Sequence, residues 1–135
     1  MSTINTKSRE TDYKDLDLDF FRKPGNKDIS RKIGEEAVKR SIRNLILTNF
    51  YDRLFQPVIG SNVQKLLFEN FTEVTAILIS NAIKEVIANF EPRVEVLAVN
   101  VIPAPDDNAF TANIVFRVLN RTEPYVLDVF LERIR

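Results

Sequence analysis

The sequence predicts an α+β fold: two main helices and a short helix packed on a small antiparallel sheet, with an N-terminal β-hairpin. Apolar residues recur at helical spacing over 34–44 and 72–90, and they alternate with polar residues in three segments after residue 93. These periods are typical of amphipathic helices and half-buried strands. Because the helices precede the strands instead of alternating with them, an α+β architecture is favoured.

The N-terminal region predicts a flexible segment followed by the hairpin. Residues 1–14 are polar, and we expect 15–135 to form a single domain of ordinary length. Residues 15–20 (DLDLDF) alternate between acidic and apolar residues, as a half-exposed strand does. A turn at 24–26 (PGN) and a second strand at 28–30 complete the predicted hairpin.

The helices have clear boundary signals. Thr72 is a suitable N-cap for the second main helix, and Pro92 disfavours helical geometry in the residue before it, so this helix should end near Phe90. We place Ser80 on its polar face. Its predicted core stripe consists of Val74, Ile77, Leu78, Ala82, Ile83, Val86, Ile87 and Phe90. A short helix capped by Ser61 or Asn62 is expected to reach Leu67-Phe68.

The segments between and after the helices complete the fold. Residues 50–60 (FYDRLFQPVIG) predict a loop lying over the core, and an exposed binding loop is the alternative. Strands are predicted over 94–102, 110–119 and 125–133, with turns between them. Such a run indicates an antiparallel meander with one face packed on helices.

The composition excludes most catalytic chemistry. The chain contains no Cys and no His, which removes thiolate nucleophiles, imidazole bases and the usual zinc ligands. The three glycines are too far apart for a phosphate-binding loop, and Asp106-Asp107-Asn108 lacks the spacing of an EF-hand. We therefore expect no enzyme activity, no catalytic residues, no cofactor and no metal. Carboxylate chemistry stays open in principle.

The charge pattern and the length of the apolar runs argue against two classes of partner. Lys and Arg together number 19, as do Asp and Glu, and the signs alternate along the chain. Nucleic-acid binders usually show a basic stripe, so we expect no nucleic-acid partner. No run of about 18 apolar residues is present, so we expect no membrane partner.

Glu91, Pro92 and Arg93 form the candidate partner-binding site. They lie where a helix passes into a strand, and Pro92 fixes its own φ and removes an N–H. In extended backbone, residues two apart project to the same side, so Glu91 and Arg93 should form an exposed charged pair on a rigid corner. The alternative is a helix stop with an incidental surface ion pair worth about 0–1 kcal/mol.

The order of these features resembles the small baseplate wedge subunit, or sheath initiator, of contractile-tail phages. This family has type VI secretion relatives, and some members are labelled lysozyme-like. The resemblance covers roughly residues 15–120. The residues on which the resemblance rests are 15–20, Asp28-Ile29, Gly34, Leu47-Thr48, Gln56-Pro57, Gly60, 67–70 (LFEN), 89–94 (NFEPRV) and 97–103 (LAVNVIP). The family's Gly-Glu-Arg-Pro-like turn after the first helix is replaced here by Tyr51-Asp52-Arg53-Leu54.

The resemblance implies a structural virion protein of the tail baseplate, assembled in the host cytoplasm. It implies that Glu91, Pro92 and Arg93 dock onto baseplate wedge core proteins. It also implies that the chain initiates the tail sheath by strand addition, through the N-terminal hairpin or the strand at 125–133. Tail tube or hub neighbours are further candidate partners. The alternatives are a peptidoglycan-degrading enzyme of the tail and a free-standing regulatory binding domain.

Overall fold

The computed structural model describes residues 14–16, 25 and 31–133, which divide into two compact units, Met1–Ala37 and Val38–Arg135. In the first unit, β1 (Lys14–Leu16) pairs antiparallel with β2 (Arg31–Ile33), so that Lys14 lies opposite Ile33. The predicted strand at 28–30 lies outside the described residues, as do residues 17–20 of the other predicted strand. The single domain expected over 15–135 stays a prediction.

The remaining elements confirm the predicted α+β class. They are α1 (Glu35–Leu47), α2 (Val63–Leu66), α3 (Glu73–Phe90), β3 (Val94–Ala104), β4 (Ala109–Val118) and β5 (Pro124–Glu132). The three strands form an antiparallel sheet in the order β3-β4-β5, so β3 and β5 are its edges. A bulge interrupts the β3–β4 register between Val96 and Ala98. A 3-10 turn, Pro105–Asp107, joins β3 to β4.

The ends of α3 are formed as the sequence predicts. The Thr72 hydroxyl accepts the N–H of Thr75 at 3.2 Å, which satisfies one of the unpaired donors at the helix N-terminus. The last helical residue is Phe90, and the Glu91 N–H still donates to the Ile87 carbonyl at 2.9 Å. The helix stops there because the next residue, Pro92, has no N–H and restricts residue 91.

The predicted core stripe of α3 is partly wrong. Ile83, Val86 and Ile87 are buried as expected, but Val74, Ile77 and Leu78 are exposed. The N-terminal half of the helix instead buries Thr75, Ala76, Ile79 and Ser80. The cause is the contact of α3 with β3, where Ser80, expected on the polar face, donates its hydroxyl to the Val99 carbonyl at 3.1 Å. That hydrogen bond satisfies a buried hydroxyl.

The prediction that residues 50–60 lie over the core is also wrong. Residues 51–58 are exposed throughout, so the segment does not lie over the core. The exposure expected of a binding loop is present, and the binding role stays a prediction. Its base closes tightly because Gly60 lies against the backbone of Asn49 and Phe50. A Cβ at residue 60 would come within 2.5 Å of the Asn49 carbonyl carbon, which only glycine avoids.

The core lies between the helices and one face of the sheet. On β4, alternate residues point inward as predicted: Phe110, Ala112, Ile114, Phe116 and Val118 are all buried. They share the core with Ile42 and Ile46 of α1 and with Ile79, Ile83 and Ile87 of α3. Full burial of one Ile or Phe side chain in this core contributes about 1.5–3 kcal/mol to the free energy of folding.

The core assignment predicts the effect of truncating a phenylalanine on β4. Phe116→Ala removes a fully buried ring and should lower the free energy of unfolding by about 3–5 kcal/mol. Phe130→Ala on β5 removes a half-exposed ring and is the matched control, with an expected loss of no more than about 1 kcal/mol. Urea unfolding measures both. Equal losses for the two variants would contradict the assignment.

Candidate functional site

The candidate site is the corner between α3 and β3. Glu91 is the C-cap residue of α3, and its φ of −124° and ψ of 79° turn the chain out of the helix. The Glu91 carbonyl accepts the N–H of Val94 at 3.3 Å, and the Arg93 carbonyl accepts the N–H of Leu119 at 3.0 Å. The corner is thus tied both to the start of β3 and to the end of β4, which makes it rigid.

The Glu91 carboxylate is buried and bound from two sides. Arg93 donates Nε to Oε1 at 2.6 Å and Nη2 to Oε2 at 2.9 Å, and the Ser41 hydroxyl of α1 donates to Oε2 at 2.5 Å. We call Ser41, Glu91 and Arg93 the carboxylate clamp. A bidentate Arg–carboxylate pair is strong and fixes the plane of the guanidinium. Only 3% of the Glu91 side chain is exposed, compared with 22% of Arg93.

The clamp sets the protonation state of Glu91. Burial by itself raises the pKa of the Glu91 carboxyl, but the hydrogen bonds from Arg93 and Ser41 and the Arg93 charge outweigh it, so the pKa lies below its ordinary value. Glu91 is therefore ionised at neutral pH. A general acid needs the opposite shift, so the clamp holds Glu91 in a state suited to a structural role.

The structure differs from the prediction for Glu91, Pro92 and Arg93 in the burial of Glu91. It brings Glu91 and Arg93 together, as their spacing indicates, but it buries Glu91 rather than exposing it, so neither an exposed charged pair nor a surface ion pair is present. Pro92 is exposed and Arg93 is partly exposed. The partner-binding role of Glu91, Pro92 and Arg93 stays a prediction.

Sequence reasoning missed Ser41. It lies 50 residues before Glu91, and no local pattern links the two. A weaker signal existed: Ser41 follows Val38 by three residues and precedes Leu45 by four, so it lies beside the buried stripe of α1. A hydroxyl in that place requires a hydrogen-bond partner, and Glu91 is that partner.

Backbone hydrogen bonds show which residues of β5 point to the open edge of the sheet. Arg133 donates its N–H to the Asn108 carbonyl at 3.0 Å, one step beyond the register pair Glu132–Ala109. Because backbone groups alternate between the two sides of a strand, odd-numbered residues of β5 face β4. The residues whose N–H and C=O groups face outward are Val126, Asp128, Phe130 and Glu132.

The outer edge of β3 is partly closed. By the same alternation, Val99, Val101 and Pro103 face away from β4. The Val99 carbonyl is already bound by Ser80 of α3, and Pro103 has no N–H to donate. Within the part of the chain that the structure describes, β5 pairs with β4 alone. The β5 edge is therefore the better template for another strand.

The described residues hold no cluster of three or more acidic side chains arranged to bind a metal ion. The same residues include no helix that could cross a membrane. The exposed ion pair of Glu95 with Arg117 on the sheet surface is separate from the clamp.

Comparison with known proteins identifies a family. The model of the family described as baseplate wedge protein gp25 matches residues 32–124. The baseplate wedge protein gp25 of Enterobacteria phage T4 is 37% identical over 111 residues, which is 82% of this chain and 83% of the phage protein.

Three solved structures are similar in fold. A crystal structure of a Geobacter sulfurreducens protein, provisionally named a tail lysozyme, has a TM-score of 0.62 at 29% identity and covers 73% of this chain and 91% of that one. A chain of the anti-feeding prophage baseplate has a TM-score of 0.64 at 22% identity, covering 93% of this chain and 89% of that one. A chain of the postcontracted pyocin R2 baseplate has a TM-score of 0.55 at 17% identity and covers 87% and 98%.

The clamp predicts a stability difference between two glutamates. Glu91→Gln leaves Arg93 facing a neutral amide in a buried position and should lower the free energy of unfolding by about 2–4 kcal/mol at pH 7. Glu95→Gln is the control, because its ion pair with Arg117 is exposed, and should cost no more than about 1 kcal/mol. If urea unfolding gives the two variants equal losses, the clamp does not stabilise the fold.

The lowered pKa of Glu91 predicts how this difference depends on pH. A carboxyl whose pKa is lower in the folded state contributes stability above its unfolded pKa and loses it as pH falls through the folded pKa. The difference in unfolding free energy between wild type and Glu91→Gln should therefore be largest near neutral pH and shrink in acid. A difference that stays constant from neutral to strongly acidic pH would contradict the assignment.

Proposed function

This chain belongs to the family of baseplate wedge protein gp25, and we propose that it acts as a structural subunit of a contractile-tail baseplate, through its surfaces and without catalysis. Its place of action is the tail baseplate of the virion, after assembly in the host cytoplasm. The support comes from the family match over residues 32–124 and from the fold shared with chains of two baseplates.

The carboxylate clamp is the observation that carries the proposal. Arg93 is the only clamp member that combines a charge with partial exposure, and its guanidinium is oriented by two hydrogen bonds to Glu91. An arginine held in one orientation loses less conformational entropy on binding than a free one. Pro92 beside it is exposed on a backbone of fixed φ. Glu91 thus acts by orienting Arg93, while Pro92 and Arg93 contact the wedge core proteins.

The second proposed contact is strand addition to β5, by which the tail sheath protein would join the sheet. The β5 edge turns the N–H and C=O groups of four residues outward, and a strand placed there gains main-chain hydrogen bonds. An uncovered strand edge of this length can pair with other chains and lead to aggregation. A strand that covers the edge in the assembly removes that hazard. Tail tube and hub neighbours are further proposed partners.

A peptidoglycan hydrolase is the alternative, because a similar structure is provisionally named a tail lysozyme. Glycosidases of the common type need one carboxyl with a raised pKa, opposite a second carboxyl about 5–9.5 Å away. The buried carboxyl of this site, Glu91, has its pKa lowered and is held by Arg93. Purified protein that releases soluble fragments from peptidoglycan, with loss of release in one Glu→Gln variant, would support the alternative.

The proposal predicts that Arg93 is needed for entry into the wedge. In co-purification with the wedge core proteins of the same phage, Arg93→Ala should weaken association at least about tenfold, as loss of a central arginine does in other interfaces. Arg117→Ala removes an arginine from the exposed pair on the sheet and is the matched control, with association near wild type. Circular dichroism confirms that each variant is folded. Equal association of both variants would refute the corner as a binding site.

Strand addition predicts the effect of a proline on β5. Asp128→Pro removes an N–H that faces outward while leaving the hydrogen bonds of neighbouring residues to β4. Asp128→Ala keeps that N–H and loses the same contact with Asn113, so it is the control. Sheath polymerisation on assembled baseplates should fail with the proline variant and proceed with the alanine variant. Normal sheath growth on the folded proline variant would place the sheath contact elsewhere.

A further inference from the structure

The loop between α1 and α2 displays four large apolar side chains that the corner and the sheet edge do not use. Their exposed fractions are 82% for Tyr51, 91% for Leu54, 97% for Phe55 and 71% for Val58. We call these four residues the apolar tip. Single exposed apolar residues are ordinary, but a cluster within eight exposed residues marks a binding surface.

The backbone beneath the tip is fixed. The N–H of Tyr51 donates to the Pro57 carbonyl at 2.8 Å across the loop, and that of Ile59 donates to the Gln56 carbonyl at 3.2 Å. At the base, the N–H of Ser61 donates to the Thr48 carbonyl at 2.8 Å. The backbone of the tip therefore has a set shape, and little backbone entropy remains to be lost when the tip binds.

The charge on the loop indicates what kind of surface receives the tip. The Asp52 carboxylate accepts the Asn49 N–H at 2.9 Å and so belongs to the loop base. Arg53 is exposed between Tyr51 and Leu54 and forms no ion pair within residues 31–133. The loop thus combines an apolar protrusion with one outward cation.

We infer that the apolar tip inserts into an apolar pocket with an acidic rim on a neighbouring protein of the baseplate. Leu54 and Phe55 fill the pocket, and Arg53 pairs with a carboxylate at its edge. The inference rests on the proposed function, because that function supplies the protein neighbour. It adds a third contact surface, distinct in residues from Arg93 and from β5.

A protein pocket fits these residues better than a lipid surface. Interfacial anchors combine apolar side chains with several Lys or Arg residues that attract anionic lipids. This loop carries one arginine and one aspartate, and the whole chain has no net charge. Phe and Leu flanked by a single arginine match the centre of a protein interface, where apolar anchors lie beside a charged contact.

Hydroxyl-radical footprinting tests the inference on the protein as it exists, free and in assembled tails. Tyr51, Leu54 and Phe55 should be oxidised in the free protein and protected at least about fivefold in the tail. Phe68 follows α2, is exposed and has the Arg133 guanidinium over its ring. Its oxidation rate in the free protein is the reference for the rates at the three residues of the tip. Oxidation of Phe55 at the same rate in tails and in free protein would overturn the inference.

Variants separate this contact from the corner. Phe55→Ser and Arg53→Glu should each lower incorporation into baseplates at least about tenfold without changing the urea midpoint, whereas Phe68→Ser and Arg53→Lys should incorporate normally. Normal incorporation of Phe55→Ser together with loss for Arg93→Ala would refute the tip and keep the corner. The reverse pattern would refute the corner and keep the tip.

Vesicles of anionic lipid test a membrane in place of the protein pocket. The membrane would replace the pocket if the free protein binds the vesicles, if Phe55→Ser abolishes that binding, and if Phe55 is not protected in tails.

Discussion

The corner between α3 and β3 depends on the ionised Glu91 carboxylate being bound by Arg93 and Ser41. A buried carboxylate without partners would be expelled or protonated, because desolvation of a charge costs several kcal/mol. The two donors offset that cost, and each comes from a different part of the chain: Arg93 from the turn before β3, Ser41 from α1. The same three hydrogen bonds that satisfy the charge therefore hold α1 to the corner and fix the direction of Arg93.

Under the proposed function, this constraint joins the stability of the corner to binding by Arg93. If Glu91 were exposed, its pair with Arg93 would contribute little and either residue could bind a partner alone. Because Glu91 is buried, Arg93 is held in a single orientation next to an exposed proline. The loop after α1 follows the same principle, since backbone hydrogen bonds fix the shape on which Tyr51 and Phe55 are displayed. Both surfaces are preorganised, which suits a subunit that must assemble in one defined geometry.

Sequence patterns predicted the elements of the fold better than they predicted its contacts. The period of β4 identified every inward residue from Phe110 to Val118, because a strand with one buried face must alternate. On α3 the apolar residues cover too much of the helix surface to select one face, and the contact with β3 decided that Ser80 is buried and Ile77 exposed. The aromatic residues of 50–60 favour a loop over the core, but residues 51–58 are exposed, because composition does not determine which side of a loop faces solvent.

The candidate site was only partly accessible from the sequence. Proline after a helix located the corner, and the spacing of Glu91 and Arg93 predicted their pairing. The burial of Glu91 and the participation of Ser41 depend on the packing of α1, which lies 50 residues away in the chain. The match to the gp25 family spans both regions, and the Ser41 hydroxyl links α1 to the corner through the Glu91 carboxylate.

If the clamp orients Arg93 for binding, Ser41→Ala should weaken binding although it leaves Pro92 and Arg93 in place, because it removes one donor to Glu91. The measurement is the affinity of the folded variant for the wedge core proteins by isothermal titration calorimetry at neutral pH. We expect an affinity at least about fivefold lower than that of wild type, since the Glu91 carboxylate loses a donor and no longer fixes the guanidinium as firmly. An affinity equal to that of wild type would show that Arg93 binds without the clamp and would refute its orienting role.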